Sequence, residues 1–271
     1  MTQELSQRGC RVVTLCRDMA AAHALSDGAE GPVDIVACDL SSQASIRAAA
    51  AELVHRHPGI DVLVHCAAVV YGGPRRFGAD GHELQLSVNH LAPYLLTRLL
   101  LPALLAAPQA RILTVSSRSH RRGRLHRDDL GLREHYALLR AYRQSKLLNV
   151  LFTRALAARL TSTSVRAWAL CPGMVRTGLA AGADVGWVRH VWWCLAPFQR
   201  PPEKVARSLA DLVRSEAGPP SGSYLALDRA TQPSRQACST EAADWVWRES
   251  ASLVGLPEEL GAIHSKPGRV P

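Results

Sequence analysis

None of the seven cysteines of this 271-residue chain forms a CxxC pair or sits at a Cys/His spacing of the zinc-binding kind, so a metal site is not expected. The count is odd, and the opening MTQELSQRGCRVV lacks the apolar core of a secretory leader. Both point to a reducing, intracellular compartment, cytoplasmic for the chain as given, without a disulfide framework. Uninterrupted apolar runs of the roughly 18 to 20 residues that span a bilayer are also missing. The nearest candidate, VGWVRHVWWCLAPF at 185–198, is broken by Arg189 and His190. Its tryptophans suit a peripheral membrane contact, a substrate entrance or packing beneath a loop. Acid is the scarcer charge, with 23 acidic residues against 32 basic ones and a net charge of +9. That balance fits either a solvated basic surface or attraction for anionic partners. The basic residues are scattered and no nucleic-acid motif organises them, so nucleic acid is not an expected partner. Repeats, low-complexity linkers and internal boundaries are absent too, which predicts one domain over 1–260 and a polar tail at 261–271.

What is present alternates. Short, nearly continuous apolar runs at 10–16 (CRVVTLC), 33–38 (VDIVAC), 61–68 (DVLVHCAA), 110–117 (ARILTVSS) and 165–173 (VRAWALCPG) read as strands buried on both faces, with a short last strand at 222–228. Helical apolar spacing fills 42–57, 84–106, 141–160, 202–215 and 240–255. This order predicts an α/β fold, a Rossmann-like doubly wound parallel sheet in a single domain. The chain opens inside a helix that leads directly into a strand. A doubly wound sheet ordinarily begins one strand earlier, with a glycine-rich turn before that helix. The fold is therefore expected to be N-terminally incomplete.

Tyr142 and Lys146 stand four apart at the head of a long helix, on one face. A phenol is a poor acid–base catalyst at neutral pH, and a nearby ammonium favours its ionised form. Ser117 ends an apolar strand, where a hydroxyl can hold a carbonyl oxygen beside the phenol. Tyr-x-x-x-Lys alone is a weak signal. Its combination with a strand-end serine and a downstream Pro-Gly is much stronger.

VSS (115–117), YRQSK (142–146) and CPGMVRT (171–177) resemble, in order, the motifs of the short-chain dehydrogenases/reductases. The long insert RSHRRGRLHRDDLGLREHYALLRA and the runs LSVNHLAPYLLTRLLLPALL and SKLLNVLFTRALAARL resemble that family's retinol-dehydrogenase-like branch. The resemblance implies Tyr142 as general acid or base, Lys146 lowering its pKa and holding the nicotinamide ribose, and Ser117 orienting the substrate oxygen. Asn89, in SVNH, would position a water in the proton relay. Pro172, Gly173, Val175 and Thr177 would meet the nicotinamide carboxamide and adjacent phosphate. Asp39 and Leu40 would meet the adenine, and Ala67 the adenine ribose. Arg17 would bind a ribose 2′-phosphate, favouring NADP over NAD, or is only a solvated strand end. The family's TGxxxGxG turn is missing, and with it a strand expected between 10–16 and 61–68. Its Asn-Asn-Ala-Gly turn stands here as His65-Cys66-Ala67-Ala68. The substrate implied is a lipophilic alcohol or carbonyl compound, retinol-like or steroid-like, and the partner a second copy packed through helices 84–106 and 141–160. The alternative is a non-catalytic relative serving as a binding scaffold.

Overall fold

A computed structural model describes residues 1–176, 199–215 and 218–260. Among the described residues seven strands fall into two sheets. β1 (Val12–Cys16) and β2 (Val33–Ala37) pair in parallel, with Val12 opposite Val33 and Cys16 opposite Ala37. β3 (Val62–His65), β4 (Arg111–Val115), β5 (Arg166–Cys171) and β6 (Tyr224–Ala226) form a second parallel sheet in that order, to which β7 (Arg229–Ala230) adds an antiparallel edge. Among the described residues the two ladders are separate, β1 ending one and β3 the other.

β4 and β5 show why these segments are strands. Ile112, Ala167, Ala169 and Cys171 point into one apolar cluster, while Leu113, Trp168 and Leu170 point into another. This is period-two alternation with both faces covered. The first cluster is closed by α3 (Gln43–Arg56), α4 (Leu84–Ala106), α5 (Leu138–Arg159) and α7 (Thr240–Leu253). The second is closed by α6 (Pro202–Arg214), with Met1 and, in α1 (Thr2–Gln7), Leu5 packed against it. No residue of β1 is fully buried. The amides of β1 and β2 should therefore exchange with deuterium well before those of β4 and β5, as residue-resolved exchange would show.

Helix α2 (Met19–Asp27) is not predicted by apolar spacing. Its signal is a cap: the Asp18 side chain accepts from the Ala21 N–H and an alanine-rich turn follows. Helix α4 contains a π-helical segment, Ser87–Leu91. By length and composition it could cross a membrane, contrary to the run-length reading, yet 78% of its most apolar window is buried inside the fold, as in a core helix. Most of α5 is buried in its own chain as well, so α4 and α5 leave few residues free for the expected contact with a second copy. The apolar stretch 185–198, Thr177 and the tail 261–271 lie outside the described residues.

Candidate active site

The parallel strands deliver their carboxyl ends to one edge, where loops of an open α/β sheet build a ligand site. From β4 the chain passes through Ser116 and Ser117 into a 3-10 turn, Arg118–Arg122. Ser117 caps that turn, its Oγ accepting from the Ser119 N–H at 3.2 Å. Helix α5 returns against this end of β4. Lys146, with 2% of its surface exposed, donates from Nζ to the Val115 carbonyl at 3.0 Å. Asn149 Nδ2 donates to the same oxygen at 3.3 Å, and Ser116 Oγ donates to the Lys146 carbonyl at 2.7 Å. Three side-chain bonds thus fix the helix to the strand, and the Lys146 ammonium lies 5.7 Å from the centre of the Tyr142 ring.

Burial dominates the electrostatics of the pair. Enclosure by protein pushes the Tyr142 phenol above its ordinary value of 10.0, and a hydrogen bond with Ser117 works the other way. The net direction is upward, although the Lys146 ammonium lies near the ring. Desolvation draws Lys146 itself down to about 8, opposed by the nearby Cys66 and Cys171 thiols. Burial thus outweighs charge at both groups, and the phenol stands as an acid at neutral pH.

Asn89 is 1% exposed and occupies the π-helical segment. Its Oδ1 accepts from the Val69 N–H at 2.8 Å, while Nδ2 donates to the Val69 carbonyl at 3.0 Å and to Ser145 Oγ at 3.1 Å. Both amide hydrogens are therefore used. The side chain holds the loop after β3 against α5 and has no donor left for the water expected of it.

After β5, Gly173 takes φ +81°, a conformation glycine adopts without strain. Val175 then bridges to Arg200, whose N–H donates to the Met174 carbonyl at 2.7 Å. Pro172 is half-buried just before this turn. At the far end of the edge, Asp39 follows β2 and Arg17 follows β1. Burial raises the Asp39 carboxyl, but the Ser41 N–H at 2.9 Å, the Ser41 hydroxyl at 2.8 Å and the Arg17 charge hold it below the ordinary 3.8. Both Ser41 bonds go to Oδ1, which leaves Oδ2 to accept from a ligand. Leu40 packs against the main cluster, and Ala67 is exposed beyond β3.

A family model described as enoyl-(acyl carrier protein) reductase matches residues 1–229. The chain is 36% identical over 265 residues to dehydrogenase/reductase SDR family member 13 of Bos taurus, covering 93% of this chain and 69% of that protein. It is 35% identical to retinol dehydrogenase 12 of Bos taurus, covering 94% and 81%. The chain is a short-chain dehydrogenase/reductase. Among solved structures, an uncharacterized protein from Mycobacterium paratuberculosis superposes with TM-score 0.76 at 31% identity, covering 95% of this chain and 89% of that one. A 3-ketoacyl-(acyl-carrier-protein) reductase from Brucella melitensis complexed with NADH shares the fold, with TM-score 0.63 at 24% identity, over 84% and 90%.

Short-chain dehydrogenases/reductases are oxidoreductases that bind a nicotinamide cofactor, and the two ends of this site fit one. Lys146 uses one of its three donors, and Asp39 keeps a free oxygen beside the Arg17 cation. Between them the fit is poorer. There His65-Cys66-Ala67-Ala68 stands where the family has Asn-Asn-Ala-Gly. At the end of β3 of this short-chain dehydrogenase/reductase, burial draws His65 down to about 3, and its Nε2 lies 2.7 Å from Thr97 Oγ1, tying the strand to α4. Sequence reasoning missed Ser116 and Asn149, which position Lys146, and His120, which is wholly buried behind Ser117. Only His120 left a trace, as a histidine three residues past the strand-end serine.

Proposed function

We propose that this chain interconverts a lipophilic alcohol and its carbonyl compound with NADP(H). The observation that carries this reading is the convergence of Ser117, Tyr142 and Lys146 where β4 meets α5. Relatives named retinol dehydrogenase 12 and 13 support an apolar alcohol as substrate, retinol-like or steroid-like. The nicotinamide, when bound, supplies the hydride for reduction or accepts it in oxidation. The Ser117 hydroxyl donates to the substrate oxygen and holds it beside Tyr142. The Tyr142 phenol then gives its proton to that oxygen as hydride reaches the carbon, and the reverse transfer accompanies oxidation. The Lys146 ammonium stabilises the phenolate so formed and offers its two remaining hydrogens to the ribose hydroxyls. Asn89 keeps the loop after β3 in register with α5. Pro172, Gly173, Val175 and Thr177 would flank the carboxamide, and Asp39, Leu40 and Ala67 the adenosine.

Arg17 decides the cofactor. Its guanidinium offers a fork to a 2′-phosphate, so Arg17→Ala is expected to weaken NADPH roughly 10- to 100-fold, the equivalent of losing charge-assisted hydrogen bonds, and to leave NADH nearly unchanged. Titration by nicotinamide fluorescence checks both. Equal losses for the two cofactors would remove the NADP assignment.

A second reading, a non-catalytic binding scaffold, is favoured by the Cys66-Ala67-Ala68 turn. Ala68 places a methyl group where the family has glycine. A folded chain that binds neither cofactor in the same titration would support that reading.

A further inference from the structure

His120 has no exposed surface, and both of its ring nitrogens are occupied. Nδ1 lies 2.6 Å from the Ser117 carbonyl oxygen, and Nε2 lies 3.1 Å from the Ser234 backbone nitrogen. A backbone N–H only donates, so Nε2 is the acceptor and the proton sits on Nδ1, donated to Ser117. The ring also lies 4.6 Å from that of Tyr224 on β6, tilted by 59°. Its neighbour Arg121 donates to the Gln232 carbonyl, so two consecutive side chains tie the Ser117 turn to the segment after β7. The other end of the turn rests on α5. A Cβ at Gly123 would stand 2.6 Å from the Arg143 carbonyl, one residue beyond Tyr142.

We propose that His120 is a positioning residue for Ser117, a latch that holds the substrate-orienting turn against the segment after β7 when neutral and releases it when protonated. The inference rests on the reading of Ser117 given above. Protonation puts a second hydrogen on the ring, at Nε2, facing the Ser234 N–H, and two donors cannot share that contact. Among the described residues, Arg121 on its own turn acts on the ring, and Tyr224 on β6 lies against it, with Arg118, and Cys171 on β5, near Tyr224. None of them is a carboxylate that would hold an imidazolium. Burial favours the neutral ring, as does Arg121, against the Ser117 bond, so release falls below the ordinary imidazole value of 6.5.

Kinetics in the direction of carbonyl reduction isolate the latch, because acid favours the Tyr142 phenol and cannot itself lower that rate. Wild type should lose kcat as pH falls below 6.5. His120→Ala should lose about 10- to 100-fold in kcat with KM little changed, the scale of a displaced reacting group. His120→Asn keeps a donor toward Ser117 but does not titrate. It should recover part of that loss and abolish the acid limb. Nitrogen NMR should show the proton on Nδ1, and the Ser234 amide should lose protection from exchange on the same titration. A proton on Nε2, or a His120→Ala variant with wild-type kcat and the acid limb intact, overturns the proposal. If wild type shows no turnover, the reading of Ser117 fails, and the tautomer and Ser234 exchange then decide the latch by themselves.

Discussion

Tyr142→Phe is expected to lower turnover by about 10²- to 10⁴-fold, the range that a positioned proton donor contributes, while cofactor affinity and fold stay as they are. The substitution removes one oxygen. The ring that lies 5.7 Å from the Lys146 ammonium remains, and Lys146 keeps its bond to the Val115 carbonyl. Ser117 keeps the Ser119 N–H on its Oγ, so the turn need not move. What disappears is the phenolic proton and its hydrogen bond with the Ser117 side chain. Steady-state rates alongside circular dichroism and a cofactor titration separate loss of chemistry from loss of structure. A variant that turns over normally would mean that the proton comes from elsewhere.

Trp247→Ala should destabilise the chain by about 3–5 kcal/mol, the usual scale for emptying a large aromatic site. Trp247 has no exposed surface. Its ring stacks on Phe152 of α5 at 6.3 Å and meets Tyr94 of α4 edge-on at 5.2 Å. Arg159 and Arg98 cover its face at 4.5 and 4.9 Å, and its indole N–H donates to the Glu258 carbonyl at 2.6 Å. Arg98 also donates to Tyr94 and to the carbonyls of Pro257 and Glu259. Alanine therefore leaves a hole where three helices meet and takes the ring from beneath Arg159, while Arg98 keeps only the Tyr94 ring at 5.6 Å. Urea unfolding measures the loss. A change under about 1 kcal/mol would show that the helices close over the gap, as cores sometimes do.

Features that depend on near neighbours in the chain were legible beforehand. β4 and β5 announced themselves as apolar runs because both of their faces are covered. Ser117, Tyr142 and Lys146 could be read because two of them share a helix face and the third ends a strand. Features that depend on distant partners were not. The role of His120 needs Ser234, 114 positions away. The π-helical segment lies within a run so apolar that its periodicity says nothing about hydrogen-bond spacing. β7, two residues long, falls below any pattern. The direction of the Tyr142 shift turns on how completely protein encloses the phenol, and spacing alone conveys only that a lysine is near. Helix α2, which packs beside β1 and β2, was not foreseen either.

The division into two ladders bears on what a long ligand does to the protein. Arg17 and Asp39 ride on one hydrogen-bonded ladder, and Ser117 and Pro172 on the other. Among the described residues no strand-to-strand ladder joins the two, so side-chain packing and loop contacts such as the Ala79 N–H to Ser41 carbonyl bond set their spacing. A molecule gripped at both ends would act as a crosslink, and its grip would depend on how often thermal motion brings the two anchor points into register.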